Sequence, residues 1–573
     1  MHSLAAYLDK DNSVWEQIHT RKVTDPMMSK RSESLESRLQ KAFPASDGIP
    51  PEFHLDTTAY ERQYLVNGEI RTWEGPLAEV SSPICTNHDG TLARAVIGHV
   101  PSMDQSAAMA GLEAAVKAWD NGRGEWPTSS VAKRIASVEK FMTRMLKTRE
   151  EVVKLMMWEI GKSLDDSRKE FDRTVEYIRR TIESLKEVDR TNSRFSLDGG
   201  VIAQVRRSPL GVCLSMGPFN YPLNETYTTL IPALIMGNTV VVKPPRFGVL
   251  LHQPLLQAFA ESFPPGVVNF IYGEGSKIVT PIIESGQIDV LAFIGSSRVA
   301  DTLKREHPRP HRLRSILGLD AKNPALIMPD ADLEAAVKEC LTGTLSFNGQ
   351  RCTALKILFV HESITEHFLE KFCTAVNALP IGMPWQKDVK ITPLPEFDKT
   401  GKMKSYVDDA VAKGAEVVNP GGGAACQTLY SPAVVYPVNP AAELYAKEQF
   451  GPVIPVCSYR DEQEFLDFVT SSNYGQQVSL FGRDTIRTAR LIDSLVNQVC
   501  RVNLNCQCQR GPDTLPFTGR KDSAEATLSI SDALRCFSIR SLVAAQSTAD
   551  SRELIQTIVA GRYSNFLNTD FIL

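Results

Sequence analysis

Phe347-Asn348-Gly349-Gln350-Arg351-Cys352-Thr353 lies between two apolar runs. The run before it, 335–345, has the spacing of a helix, and the run after it, 355–360, is typical of a strand. Arg351 and nearby backbone N–H groups at such a junction would favour the thiolate of Cys352, which is the nucleophilic form. The heptad makes Cys352 a candidate nucleophile, although a buried structural cysteine is the commoner fate of a thiol.

Length and composition describe an ordinary globular protein. The 573 residues predict two or three domains, and the hydrophobic and charged fractions of 43% and 23% are unexceptional. A net charge of −4 argues against a dedicated nucleic-acid binder. The longest apolar neighbourhood, 230–242, is interrupted by Pro232, Gly237 and Asn238 and is too short to span a bilayer, so no membrane partner is expected.

The cysteines and histidines predict neither a disulfide scaffold nor a metal centre. Eleven cysteines are too sparse for such a scaffold, and the first residues carry no apolar secretory signal. We therefore expect a reducing, cytoplasmic setting. Cys506 and Cys508 form the only close cysteine pair and have no histidine nearby. No histidine shows metal-ligand spacing, and the sequence shows no base for a histidine-assisted cysteine protease.

The order of helical and strand-like stretches predicts an α/β protein. Residues 1–60 are a polar extension, and residues 106–185 are helical in pattern. After residue 210, short apolar runs alternate with helical stretches, which is typical of parallel sheets, and a second such set follows Pro324. The first set of β-rich runs is 211–216, 239–242, 267–271 and 290–294.

Glycine-rich turns after strands suggest that a phosphate or dinucleotide binds. The usual Gly-x-Gly-x-x-Gly is absent, and Gly295-Ser296 has one glycine after its strand. Lys243 and Arg246 follow the end of a buried strand, where two cations suit a ribose or its phosphate. An ordinary surface lysine before a turn fits this pattern equally well.

Five motifs occur in an order that resembles the aldehyde dehydrogenase superfamily over roughly residues 60–545. They are Gly217-Pro218-Phe219-Asn220-Tyr221-Pro222, Val242-Lys243-Pro244, Phe293-Ile294-Gly295-Ser296, Gly349-Gln350-Arg351-Cys352 and Lys447-Glu448-Gln449-Phe450-Gly451-Pro452.

The resemblance implies a fold of three parts. These are a Rossmann-like cofactor domain, an α/β catalytic domain and a small β oligomerisation arm that pairs across subunits. The exposed strand edges of such an arm need a partner, so we expect a homodimer or homotetramer. The implied bounds are 61–189 and 207–318 for the cofactor domain, 319–515 for the catalytic domain, 190–206 and 516–548 for the arm, and 549–573 for a tail.

The resemblance also implies the chemistry. Cys352 would attack an aldehyde carbonyl, and the side-chain amide of Asn220 would donate to the oxyanion that forms. Hydride would pass to a nicotinamide, NADP with NAD as an alternative, and water would hydrolyse the resulting thioester. The implied cofactor-binding residues are Lys243, Arg246, Gly295, Ser296, Glu448 and Phe450.

Within the superfamily, the chain most resembles the NADP-dependent, non-phosphorylating glyceraldehyde-3-phosphate dehydrogenases. Arg173, Tyr221, Arg351 and Arg510 match that group. Three guanidiniums and a phenol suit a substrate phosphate, because arginine binds phosphate oxygens bidentately. The implied substrate is a phosphorylated small-molecule aldehyde, glyceraldehyde 3-phosphate, and the implied reaction is its oxidation to 3-phosphoglycerate. Ordinary surface charge is the alternative for these arginines.

One departure from the family pattern affects the last step. The family's hydrolytic glutamate belongs to a Glu-Leu-Gly-Gly motif, and Gly318 stands in its place. CoA-acylating semialdehyde dehydrogenases also lack this glutamate, since a thiol takes their acyl group, and their sequence resembles Ala321-Lys322-Asn323. They are the second hypothesis. A non-catalytic relative that serves as a binding subunit is the third.

Overall fold

The computed structural model describes residues 34–570 and 572. The first 33 residues of the predicted extension therefore lie outside the described part of the chain. From Ser34 onward the extension forms the helix Leu35–Ala42 and two short 3₁₀ turns, Ser46–Gly48 and Pro51–Phe53. Leu39 and Phe43 are buried in a hydrophobic cluster of the main body.

The first sheet has eight strands with a parallel five-stranded centre. The chain leaves the central strand Val212–Met216 toward one side of the sheet and later returns on the other side, at Val290–Ile294. Loops at the carboxyl ends of two such strands leave a crevice where α/β proteins bind ligands. The strand order is Glu69–Thr72, Gln63–Val66, Val268–Phe270, Thr239–Val242, Val212–Met216, Val290–Ile294, Arg314–Gly318, Ala524–Glu525.

Helices pack around this sheet and share one large core with it. The helix Leu164–Asn192 begins where the Ser163 hydroxyl accepts the N–H of Asp166. The helices in this region are Gln105–Trp119, Val131–Met145, Arg149–Ile160, Leu164–Asn192, Asn224–Ile235, Leu256–Ser262, Gly275–Glu284 and Ser297–Glu306.

The second sheet has seven strands and is parallel except at one edge. The predicted helix and strand on either side of the heptad are confirmed as Leu333–Leu345 and Leu355–His361. The strand order is Glu416–Val417, Ala433–Tyr436, Val453–Tyr459, Leu355–His361, Asn323–Ile327, Gln477–Phe481, Arg501–Leu504. The helices are Leu333–Leu345, Thr365–Asn377, Lys399–Ala412, Glu443–Ala446, Glu462–Ser471 and Thr485–Leu495. The α/β class predicted from the sequence is confirmed.

A separate antiparallel sheet has Val201–Pro209 in the middle, between Phe195–Asp198 and Ser538–Gln546. The strand Ala524–Glu525, although within the segment predicted for the arm, pairs instead with the first sheet. The tail helix Ala549–Ala560 buries no residue.

Short two-stranded pairings complete the fold. They are Leu77–His88 with Thr91–Pro101, Ala425–Cys426 with Leu429–Tyr430, and Tyr474–Gly475 with Arg520–Lys521; the helix Ile530–Cys536 precedes the last long strand. Between residues 34 and 570, no helix is long and apolar enough to cross a membrane.

A buried carboxylate joins the helix Arg149–Ile160 to the 3₁₀ stretch Leu250–Leu255. Glu159 is fully buried and accepts backbone N–H groups of Val249 and Leu250. Burial raises the pKa of Glu159 to about 7, because the charged form loses its hydration, although the backbone donors oppose this shift.

Glu159→Gln should therefore make stability less dependent on pH. A carboxyl whose folded pKa is above its unfolded pKa stabilises the fold at low pH, and this contribution is lost as pH rises through about 7. The wild type should lose up to about 3 kcal/mol relative to the variant between pH 4.5 and pH 8. Urea unfolding of both proteins across this range measures the difference. If the two proteins differed in free energy of unfolding by the same amount at every pH, Glu159 would not change its protonation on unfolding.

Candidate active site

The heptad around Cys352 forms a strained turn between its helix and its strand. Phe347, Asn348 and Gly349 have φ values of 48°, 56° and 72°, so three consecutive residues are left-handed. A Cβ on Gly349 would lie 2.7 Å from the carbonyl oxygen of Thr344, which excludes larger residues there. Asn348 donates to the carbonyl of Thr392 at 3.1 Å and accepts its N–H at 3.0 Å. These contacts hold a conformation that costs energy and that is common at functional sites.

Two side chains fix the backbone at Cys352 itself. The Cys352 carbonyl accepts Asn323 Nδ2 at 2.8 Å and Lys356 Nζ at 3.0 Å. Lys356 also pairs with Glu448, which lies in the Lys447–Pro452 motif. The predicted nucleophile and a predicted cofactor contact are therefore joined through one buried ammonium.

The loop that carries Asn220 meets the Cys352 loop directly. Asn220 Nδ2 donates to the Gln350 carbonyl at 2.8 Å, and the Asn220 carbonyl accepts Lys162 Nζ at 2.7 Å. The same Nζ lies 3.6 Å from the ring centroid of Tyr221 and 4.5 Å from that of Phe347. Both are cation–π contacts.

Glu170 balances the charge of Lys162 within the protein interior. The two groups form an ion pair in which both side chains are almost fully buried. Glu170 Oε1 also accepts the N–H groups of Leu223 and Asn224, each at 3.0 Å, at the start of the helix Asn224–Ile235. The pair thus anchors the segment that follows Asn220.

A cavity of about 750 Å³ opens beside Cys352. Every predicted catalytic and cofactor-binding residue except Lys243 lines it. Lys243 lines an adjoining cavity of about 450 Å³. The two cavities share Gly217, Pro245, Phe293 and Val299 in their walls. The predicted residues that line the larger cavity are Asn220, Arg246, Gly295, Ser296, Cys352, Glu448 and Phe450.

The residues predicted to bind phosphate do not line this cavity. Arg173 and Arg510 are joined through Asp513, which accepts the Nε of each, at 3.1 and 3.2 Å. Arg510 is buried and forms a second ion pair with Glu225. Tyr221 lies within reach of the charges of Arg173 and Arg351, which lower its pKa, while burial raises it more strongly.

Arg351 differs from the other two arginines. Its Nη2 donates to the Gly343 carbonyl at 3.0 Å and to Gln507 Oε1 at 3.1 Å, and it forms no ion pair within the described chain. Its Nε is buried without a hydrogen-bond partner. Arg351 is thus the one arginine of this group whose charge is not offset by a neighbouring carboxylate.

The electrostatics at Cys352 differ from the sequence-based expectation. Burial raises the pKa of its thiol, and the negative charge of Glu225 raises it further. The cations that oppose this effect are Lys356 and Arg510, not Arg351. The side chain of Arg351 turns toward Gly343 and Gln507, and its effect on the thiolate stays a prediction.

Comparison with known proteins agrees with this geometry. The aldehyde dehydrogenase family model matches residues 87–541. The chain belongs to the aldehyde dehydrogenase family. It is 32% identical to an NADP-dependent glyceraldehyde-3-phosphate dehydrogenase of Streptococcus equinus. The match covers 79% of this chain and 92% of that protein. A pea enzyme of the same name is 31% identical over 57% of this chain and 64% of that protein. The crystal structure of an NADP-dependent glyceraldehyde-3-phosphate dehydrogenase from Bacillus halodurans, complexed with NADP, superposes with a TM-score of 0.77 at 28% identity, covering 85% of this chain and all of that one.

Gly318, which stands where the family pattern has a glutamate, ends the strand Arg314–Gly318 and lines the larger cavity. A Cβ added to it would contact Ile294 side-chain atoms at 3.4 and 3.5 Å, an ordinary van der Waals distance. A Cβ would therefore fit at this position without displacing its neighbours.

Sequence analysis missed several charged residues of this site. They include Lys162, Glu170 and Glu225. The only sequence signal that could have indicated them is a charged residue within an apolar or helical stretch that is expected to be buried. Asp320 was also missed, and its Oδ2 accepts the backbone N–H and the hydroxyl of Ser297 at 2.8 and 2.9 Å. Over the described chain, no cluster of three or more His, Cys, Asp or Glu could hold a metal ion.

Lys162→Met should destabilise the fold by about 3–5 kcal/mol, since Glu170 would be left buried without its cation. Lys169→Met is the matched control, because Lys169 pairs with Asp166 on the exposed face of the helix Leu164–Asn192, which carries Glu170, and its loss should cost less than about 1 kcal/mol. Urea unfolding measures both. Equal losses in the two variants would contradict the anchoring role of Lys162.

Proposed function

We propose that this protein oxidises glyceraldehyde 3-phosphate to 3-phosphoglycerate with NADP, by way of a thioester on Cys352. The observation that carries the proposal is the position of Cys352 in the wall of a cavity, with Asn220 bonded to the adjacent backbone. The names of the relatives from Streptococcus equinus and pea support the choice of aldehyde and cofactor.

Cys352 would add to the aldehyde carbon, and the carbonyl oxygen would take the negative charge. Asn220 has a second side-chain N–H beyond the one bonded to Gln350, so its amide would donate to that oxygen. One such donor is typically worth about 3–4 kcal/mol in the transition state. Lys162 fixes the Asn220 loop, so the donor is in place before the substrate arrives.

The residues that line the two cavities fit a dinucleotide carrying an additional phosphate. Lys243 and Arg246 provide positive charge, and burial lowers the pKa of Lys243 to about 8, with Arg246 contributing. Gly295 and Ser296 lead from a strand into a helix N-terminus, a usual site for a pyrophosphate. Glu448 and Phe450 would contact the ribose end. NADP would supply the hydride acceptor; the chain would bind and orient it.

The phosphate of the substrate would be held on the side of Cys352 away from the cofactor. Glu225 and Asp513 offset the charges of Arg510 and Arg173. Arg351 has no ion-pair partner in the described chain, so its charge would supply the attraction for an added anion from outside the cavity lining. Tyr221 would donate its hydroxyl to the same group.

A second candidate function is acyl transfer to coenzyme A, and the glycine at position 318 favours it. The two functions differ in the acceptor of the acyl group. Purified protein with glyceraldehyde 3-phosphate and NADP should release 3-phosphoglycerate without coenzyme A. Release only when coenzyme A is added would establish the second function. No reduction of NADP or NAD by any aldehyde would indicate a non-catalytic binding subunit.

We also propose that the protein is a homodimer or homotetramer formed through the three-stranded sheet. Ser538–Gln546 lies at one edge of that sheet and exposes Ile539, Leu542 and Val543. An unpaired edge with apolar side chains is a ready template for another chain. Light scattering at micromolar protein should therefore give a mass at least twice that of the chain.

Arg351→Ala should lower kcat/KM for glyceraldehyde 3-phosphate by roughly 10- to 150-fold, the range for a lost charged hydrogen bond of about 1.5–3 kcal/mol. For unphosphorylated glyceraldehyde, the loss should be under about threefold, because that substrate never makes the contact. Arg351→Lys is the matched control, which keeps the charge and should lose less. The measurement is kcat/KM for both aldehydes in all three proteins. Equal losses for the two substrates would show that Arg351 has only a structural role.

A further inference from the structure

Four carboxylates line the cavity beside Cys352: Glu225, Asp320, Glu396 and Glu448. Three of them are already held by neighbouring side chains. Asp320 accepts two hydrogen bonds from Ser297, Glu396 pairs with Lys399, and Glu448 pairs with Lys356 while accepting the Ala321 N–H.

Glu225 is held differently. It is the second residue of the helix Asn224–Ile235 and is only 7% exposed. Its Oε2 meets Arg510, which fixes the direction of the carboxylate. Within the described chain, its Oε1 receives one long contact, from Asn224 Nδ2 at 3.5 Å, which is at the limit for a hydrogen bond. One oxygen of a buried carboxylate therefore has an acceptor site available in the cavity that contains Cys352.

The charge of Glu225 also acts on the thiol more than any other charge does. Apart from burial, its charge has the largest effect on the pKa of Cys352, ahead of Lys356, Arg510 and Glu448. Asp320 and Glu396 are not among the leading contributors. This ranking agrees with the geometry, in which Glu225 and Asn220 lie on the same segment beside the Cys352 turn.

We propose that Glu225 is the general base that activates water to hydrolyse the thioester, in place of the glutamate that position 318 lacks. The inference rests on the proposed function, since it concerns the second half of the same reaction. Oε1 of Glu225 takes a proton from water as the water oxygen attacks the acyl carbon. The carbon–sulfur bond then breaks, the acid is released, and the proton returns through Glu225 to the Cys352 thiolate or to solvent. No oxidant or further reactant is needed.

Glu225→Gln keeps the size of the side chain and one acceptor oxygen for Arg510, and it removes the base. Stopped-flow mixing with glyceraldehyde 3-phosphate and NADP should show a burst of reduced cofactor close to one per active site. Steady-state turnover should fall by about 100-fold or more, the usual contribution of a general base. If the wild type itself shows no burst, one should appear in the variant, because hydrolysis becomes limiting.

Further measurements distinguish a catalytic role of Glu225 from a structural one. Hydroxylamine accepts an acyl group without a base, so it should restore turnover in Glu225→Gln. Adding Gly318→Glu to that variant should also raise steady-state turnover, since a Cβ fits at position 318 and this position lines the same cavity. Asp513→Asn, which removes the other carboxylate on Arg510, should leave the ratio of burst rate to steady-state rate unchanged.

Three results would overturn the proposal. The first is turnover of Glu225→Gln at the wild-type rate. The second is a burst that slows in the same proportion as the steady-state rate, with no effect of hydroxylamine, because this would assign Glu225 to acylation or to folding. The third is acid release by the wild type that depends on coenzyme A. Absence of any NADP reduction by the wild type would be a different outcome, because it would refute the proposed function itself.

Discussion

The reaction site depends on one buried ammonium group. Lys162 Nζ lies between the Asn220 loop of the first sheet and the Phe347 turn of the second, contacting a carbonyl on one and aromatic rings on both. Burying a charge is costly, and the cost is offset only when the charge is paired and fully bonded. Glu170, the Asn220 carbonyl and the two rings together satisfy this requirement. The two halves of the site are therefore held in register by an interaction that would be unfavourable if any partner were missing.

The same rule governs the other charges around Cys352. Lys356 pairs with Glu448 on the cofactor side, while Arg510 pairs with Glu225 and Asp513 on the opposite side. The thiol thus lies among compensated charges, and burial raises its pKa. Because these side chains neutralise one another, an entering ligand has little uncompensated protein charge to neutralise. Arg351 forms no ion pair with a carboxylate in the described chain, and this supports the proposal that it stabilises an added anion.

Much of the fold followed from local sequence. The β-branched runs, including Val240–Val242 and Val290–Ile294, predicted the parallel strands because buried central strands are continuously apolar. The helix, turn and strand around Cys352 followed from its flanking pattern. The site was less predictable, because its pairings join distant segments: Glu225 meets Arg510 across 285 residues. Asp513 lies only three residues from Arg510, but the distant Glu225 cannot be read from the local sequence, so sequence analysis counted Arg510 as free to bind phosphate. Neither could sequence analysis show that Glu225, 93 residues before Gly318 by their numbers, shares a cavity with it.

In the proposed reaction, Cys352 forms the covalent bond to the aldehyde. Acid quenching during turnover with glyceraldehyde 3-phosphate and NADP, followed by peptide mass spectrometry, tests this role of Cys352 most directly. We expect one acyl adduct, on the peptide that contains Cys352, and no adduct when the cofactor is left out. An adduct on another cysteine, or turnover to acid with no adduct at any time before completion, would contradict it.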